Sequence, residues 1–229
     1  MHELTDMVWK WARTEYRHAL LDGNRLSEER FQATVKELSR LTSLPEVQFI
    51  SRGLRFPNDF VSLVLRERRL IVSPYDGRMT APLAYWTQAE EDPLNRVANE
   101  YYHTALMDFL RGTVGVDTLR PYLALNEAVI AGWQFLDEEQ MGMPGTALKL
   151  AAQMRRFPSL KVFLAMGRYD TACTPESALA ALGTMDIPRD RLANIEAHMY
   201  DGGHMMYTNP EARRKLCEDL SAWITAVIE

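Results

Sequence analysis

An α/β fold with a largely helical first part is what this sequence predicts, and three observations carry the prediction. The run Leu160–Met166 is almost continuously apolar and stops at Gly167, as expected of a strand buried on both faces. Asn194–Tyr200 is a second, weaker strand that leads into Gly202-Gly203. A helix follows each strand, one after Pro175 with Leu179 and Leu182, the other from Pro210 with Leu216, Leu220, Trp223, Ile224 and Val227 at helical spacing. Strand, helix, strand, helix is the grammar of a parallel sheet with helices packed on it. Two strands are too few to stand alone, so the pattern points to part of a larger fold.

Residues 1–145 read as a mainly helical, lid-like region, and residues 146–229 as the strand-bearing segment. Leu4, Met7, Val8 and Trp11 recur at helical spacing, Ala19 and Leu20 continue the pattern, and Gly23 is a natural stop. Ser27 starts a second helix, with Glu28 and Glu29 at the positive end of its dipole and Phe31, Val35 and Leu38 on its buried stripe. Ser43 followed by Glu46 matches a capping box and predicts a third helix. Another follows Asn58 and buries Phe60, Leu63 and Val64. Arg69–Val72 predicts a short strand, ended by Pro74 and the Asp76-Gly77 turn. Leu94, Val97, Ala98, Tyr101, Ala105 and Phe109 mark a longer amphipathic helix, closed by Gly112 and Gly115.

Composition excludes several classes of function. Hydrophobic residues make up 47% of the 229, enough for a packed core, and 25% charged residues argue against disorder. A net charge of −5 leaves no basic footprint for nucleic acid. No apolar run reaches the roughly 18 residues that a membrane span needs. The first residues, MHELTDMVWKWARTEYRH, lack the pattern of a signal peptide. Two cysteines, Cys173 and Cys217, define no disulfide framework.

Chemistry concentrates in two segments, Gly167-Arg-Tyr-Asp170-Thr-Ala-Cys173-Thr-Pro175 and Gly202-Gly-His204-Met-Met-Tyr207. Each places a functional side chain just past the carboxyl end of a strand, where ligands and catalytic groups of open α/β sheets gather. The two glycines before His204 are expected to let the chain turn sharply. An acid beside an imidazole can accept a hydrogen bond from one ring nitrogen, fix the tautomer and leave the other nitrogen as a general base. Acid before histidine, with a serine expected earlier, is the order of the α/β-hydrolases. The spacing of His198, Asp201 and His204 raises metal ligation, but His198 falls in the strand and Asp201 in the turn, so no metal site is expected there. His18 and His103 fall on helices. Trp9, Trp11, Trp133 and Trp223 are expected in core positions, facing solvent only where a neighbouring sheet is missing.

The two segments resemble the C-terminal signatures of serine carboxypeptidases, above all their bacterial relatives. The likeness continues through the helix, Phe-Pro-x-Leu-Lys turn and strand of residues 151–165. It also takes in Leu54-Arg55 to Phe60, Leu65-Arg66, Tyr75-Asp-Gly-Arg78, and Tyr122 to Trp133. The resemblance implies the C-terminal part of an α/β-hydrolase fold with a helical lid-like region, acting on a peptide at its C-terminus through an acyl-enzyme. It implies Asp170 as the triad acid, His204 as the base, Cys173 near the substrate and Met205 lining the pocket for the leaving residue. It implies no metal and no organic cofactor.

The match fails at the nucleophile. The family's serine lies in a Gly-x-Ser-x-Gly elbow on a strand-to-helix turn. None of the nine serines (Ser27, Ser39, Ser43, Ser51, Ser62, Ser73, Ser159, Ser177 and Ser221) has both flanking glycines. Ser73 comes nearest by following a strand, yet Pro74 follows it directly; Ser51 precedes Gly53 but lacks the first glycine. Histidine and aspartate without the serine cannot form an acyl-enzyme, so the chain alone is expected to be inactive. Met1 is expected to fall after the nucleophile helix of a longer ancestral frame. Two further readings stand beside this one: a non-catalytic binding module or half of a split enzyme, whose partner chain carries the elbow, and another α/β-hydrolase such as an esterase or aminopeptidase. An open sheet edge would favour association with another chain.

Overall fold

A computed structural model of the chain describes residues 2–57, 59–83, 101–118, 120, 122–123, 126–133 and 146–228. The chain divides into two compact units, Met1–Val72 with Ala81–Trp86, and Ser73–Thr80 with Thr87–Glu229. The boundary expected at residue 145 closes the stretch 134–145, which lies outside the described residues, as do Leu94, Val97 and Ala98.

In the first unit α1 (His2–Trp11), a π-helical turn (Ala12–Tyr16) and α2 (Arg17–Asp22) run on from one another and end at Gly23. Gly23 has φ +51°, a conformation that glycine adopts at little cost. Helix α3 (Glu28–Thr42) opens on Ser27, whose hydroxyl accepts the Arg30 N–H at 3.3 Å, and it buries Val35 and Leu38.

Ser43 does not cap a third helix. It ends α3 in the left-handed conformation, φ +60°, and donates its N–H to the Ser39 carbonyl. Leu44, which precedes Pro45, is disfavoured as a helical residue. Helix α4 (Val47–Ile50) therefore begins later, with the Pro45 and Glu46 carbonyls accepting the first N–H groups and no side-chain cap.

Ala19, Val35, Leu38, Leu44, Phe49 and Leu54 form the core of this unit, with Trp11, Tyr16, Phe31 and Leu63 packed against it. Helix α5 (Phe60–Leu63) and the following Val64 join from the side, and all of its residues stay partly exposed. Leu54 sits at φ +68°, an unusual conformation for a branched side chain. The Tyr16 hydroxyl holds it by donating to the Leu54 carbonyl at 2.8 Å. Strand β1 (Leu70–Val72) buries Ile71 and Val72 and pairs with β2 (Thr80–Pro82); the connection between them belongs to the second unit.

The second unit contains α6 (His103–Phe109), which runs into a π-helical turn (Leu110–Val114) and stops at Gly115, φ +75°. Gly112 lies inside that turn and does not end the helix. The inner side of α6 runs through Met107, so Tyr101 and Phe109, expected on an apolar face, are 67% and 52% exposed. Helices α7 (Glu127–Gly132) and α8 (Thr146–Arg156) follow, the latter burying Ala151 and Met154.

Strand β3 (Val162–Gly167) lies parallel to β4 (Ile195–Tyr200), in a register that sets Val162 opposite Ile195 and Gly167 opposite Tyr200. Between them α9 (Pro175–Gly183) opens on Thr174, whose hydroxyl accepts the Ser177 N–H. Helix α10 (Pro210–Ile228) opens on Asn209, whose side chain accepts the N–H groups of Glu211 and Ala212. Only Met166 and Gly167 of β3 are buried, not the whole strand as expected. Among the described residues β4 is its one sheet neighbour, and a strand with an open edge leaves side chains partly in water. Phe163 still finds the Trp223 ring of α10, with centroids 5.5 Å apart. Trp133, expected in a core position, is 63% exposed.

Candidate active site

The carboxyl ends of β3 and β4 meet the loop of residues 73–79 where three glycines leave no room for side chains. A methyl on Gly167 would overlap the Gly203 carbonyl, one on Gly203 would strike the Tyr75 carbonyl and Asp76, and one on Gly202 would strike Met206. Neither Gly202 nor Gly203 has a positive φ. The chain bends at residues 201–203, where the sequence predicts a sharp turn, and the glycines serve it through close approach of backbones and not through a left-handed conformation.

Hydrogen bonds fix the loop against both strand ends. His204 donates its N–H to the Tyr75 carbonyl at 2.6 Å, and Gly77 donates to the Tyr169 carbonyl at 2.9 Å. Thr171 donates to the Pro74 carbonyl through its N–H at 3.0 Å and its hydroxyl at 2.7 Å. At the loop's start, Ser73 is fully buried and its hydroxyl oxygen accepts the Tyr75 N–H at 3.1 Å. That places it as a turn former and not as an exposed nucleophile.

Asp170 and His204 come together at the centre of this arrangement. Asp170 is 6% exposed, and its Oδ1 accepts the N–H groups of Ala172 at 3.0 Å and Cys173 at 2.8 Å. Its Oδ2 lies 2.8 Å from His204 Nδ1. A carboxylate can only accept, so Nδ1 is the donor and, in the neutral ring, Nε2 keeps its lone pair. The imidazole is 42% exposed, and among the described residues Nε2 has no hydrogen-bond partner. The Tyr75 ring walls one side, with centroids 5.4 Å apart at 55°.

Around the pair the charges are matched. Asp76 pairs with Arg78 at 2.8 Å, and the Arg78 guanidinium lies 4.2 Å over the Tyr169 ring. Burial by itself raises the Asp76 carboxyl, but hydrogen bonds from Arg78 and from the Gly203 N–H hold it below its ordinary value. The Tyr169 phenol is pushed up by burial and then by its hydrogen bond to Asp201.

Of the four residues singled out from the sequence, the structure joins three. A thiol sulfur of Cys173, a carboxylate oxygen of Asp170 and a ring nitrogen of His204 all lie within 4.8 Å of one another. Met205 is half-buried beside His204, whereas Met206 turns into a small core with Tyr200 and Ala212. His198 stands apart from this group: its Nε2 is 2.6 Å from Glu196 and its ring stacks on Phe163. Sequence reasoning did not single out Tyr75, Asp76 and Arg78 as site residues. Their sequence signals were the Asp-Gly turn after a strand and the likeness of Tyr75-Asp-Gly-Arg78 to the carboxypeptidases, and neither names the partner almost a hundred residues away.

Compared with family models, curated proteins and solved structures, the chain matches none.

Proposed function

We propose that Asp170 and His204 are the acid and base of a serine carboxypeptidase-like hydrolase site, which this chain carries without the nucleophile serine. The fold in this reading is the C-terminal part of an α/β-hydrolase. The observation that supports it most is the 2.8 Å contact between Asp170 Oδ2 and His204 Nδ1, with Oδ1 clamped by two backbone N–H groups. Asp170 then orients the ring and stabilises the imidazolium, while Nε2 takes a proton from a nucleophile and returns it to the leaving amine. Cys173 and Met205 flank the pair where a leaving residue of a peptide would lie. The chemistry asks for no metal and no organic cofactor.

A second reading is favoured by the sheet. A two-stranded parallel sheet is too small to be stable by itself, and β3 is buried only at its last two residues. That suits half of a split enzyme or a binding module, with a partner chain supplying further strands and the Gly-x-Ser-x-Gly elbow.

The test is labelling of the purified chain by a fluorophosphonate serine probe, with His204→Ala as control. No labelling in either is expected. Labelling that disappears with His204→Ala means that one of the nine serines works with this histidine, and that the nucleophile is present after all.

A further inference from the structure

We propose that Asp170, Cys173 and His204 together form a binding site for a zinc-class divalent cation. The three offer an oxygen, a sulfur and a nitrogen with the ligand atoms within 4.8 Å of one another, so small side-chain adjustments bring all three onto one ion. A mixed set of this kind suits a borderline-soft metal such as Zn²⁺ or Cd²⁺ and suits Mg²⁺ or Ca²⁺ poorly.

The local backbone prepares the site. Asp170 and Cys173 stand on one turn, and the Cys173 backbone N–H that donates to Asp170 Oδ1 at 2.8 Å holds the carboxylate on that turn, with the thiol sulfur within 4.8 Å of it. With Oδ1 occupied by that bond and by the Ala172 N–H, Oδ2 is the oxygen left to coordinate, and it already faces His204. Backbone donors that orient a ligating carboxylate in this way are the usual outer support of a metal site. The Asp170 carboxylate and a Cys173 thiolate offset the two positive charges of the ion, and the thiol proton leaves to solvent on binding. Exposure of Cys173 and His204 gives the ion an entry path from water.

Binding of the ion does not depend on the hydrolase reading; its consequence for catalysis rests on that reading. Whichever ring nitrogen coordinates, the base is lost. At Nε2 the metal takes the lone pair, and at Nδ1 it displaces the proton shared with Asp170. The ion is therefore an inhibitor of the pair.

Titration of the purified, reduced chain with Cd²⁺, followed by the ultraviolet charge-transfer band of a cadmium thiolate, tests the site without any turnover or serine probe. The expected result is saturation at one equivalent, displaced by Zn²⁺. The band should disappear in Cys173→Ser and in Cys173→Ala, and persist in Cys217→Ser, the other exposed thiol. In His204→Gln the affinity should fall by more than roughly tenfold, the loss seen even when groups that only support a metal ligand are removed. Cys173 is exposed, so both of its variants should keep the far-ultraviolet circular dichroism of the parent. No saturable band, a band that survives Cys173→Ser, one abolished by Cys217→Ser, or an affinity indifferent to His204→Gln would each overturn the proposal. Because fluorophosphonate labelling is a separate readout, failure here leaves the acid–base reading standing, and the reverse also holds.

Discussion

The N-terminal helical unit and the strand-bearing unit with Asp170 and His204 solve the problem of cohesion in different ways. The first closes a side-chain core in which Val35, Leu38, Leu44 and Phe49 are almost wholly shielded and an aromatic chain from Trp11 through Tyr16, Phe56 and Phe60 packs edge and face. The second has a smaller cluster of Tyr200, Met206 and Ala212, with Leu216 against it, and leaves Leu220, Ile224 and Val227 of α10 exposed. At its site the second unit relies on backbone packed on backbone at Gly167, Gly202 and Gly203, and on hydrogen bonds to the loop of residues 73–79. A side-chain core tolerates adjustment; a backbone contact with no space for a methyl does not.

Three substitutions or conditions sharpen that contrast. Phe49→Ala removes a fully buried ring from the first core and should cost about 3–5 kcal/mol, measured by denaturant unfolding. It should leave the His204 resonances of the second unit where they were. Gly203→Ala should cost at least about 3 kcal/mol in the second unit, because the obstacle is the Tyr75 carbonyl and not a flexible side chain. A cost within about 0.5 kcal/mol, the range of ordinary surface changes, would mean that the loop does not lie against the strand ends as described.

The smallest effect concerns pH. The Asp76 carboxyl is held below its ordinary value, so its pairing stabilises the fold above the unfolded value of about 4 and is lost as pH falls through the lower folded value. Asp76→Asn should therefore flatten the acid limb of the stability curve of the second unit and leave the limb above neutrality unchanged. An acid limb that is identical in the variant would remove Asp76 from the account.

Much of the local structure could be read from the sequence, and the reason is the length and sharp ends of its patterns. Strand β3 lies along the apolar run that stops at Gly167, β4 falls within the weaker strand segment Asn194–Tyr200, and Ser27 and Thr174 act where a hydroxyl precedes a helix. The proximity of Asp170 and His204 was legible because both follow strands in one sheet. Ser43 misled because a serine ending a helix at positive φ and a serine starting one look alike in sequence. The burial expected along β3 was read from composition, but burial depends on neighbours that the described residues do not supply. The loop of Tyr75, Asp76 and Arg78 stayed hidden since its contacts, such as Pro74 with Thr171, span distances that periodicity cannot encode. The glycines before His204 and the bend they allow were visible, but the close backbone contacts they make room for were not.

The central claim is that Asp170 fixes His204 with Nε2 free to act as a base. Nitrogen chemical shifts of the imidazole in the ¹⁵N-labelled chain, at a pH where the ring is neutral, test it most directly. The account expects the proton on Nδ1, with that preference lost in Asp170→Ala. A neutral ring protonated on Nε2 in the parent chain, or a tautomer that Asp170→Ala does not change, would contradict it.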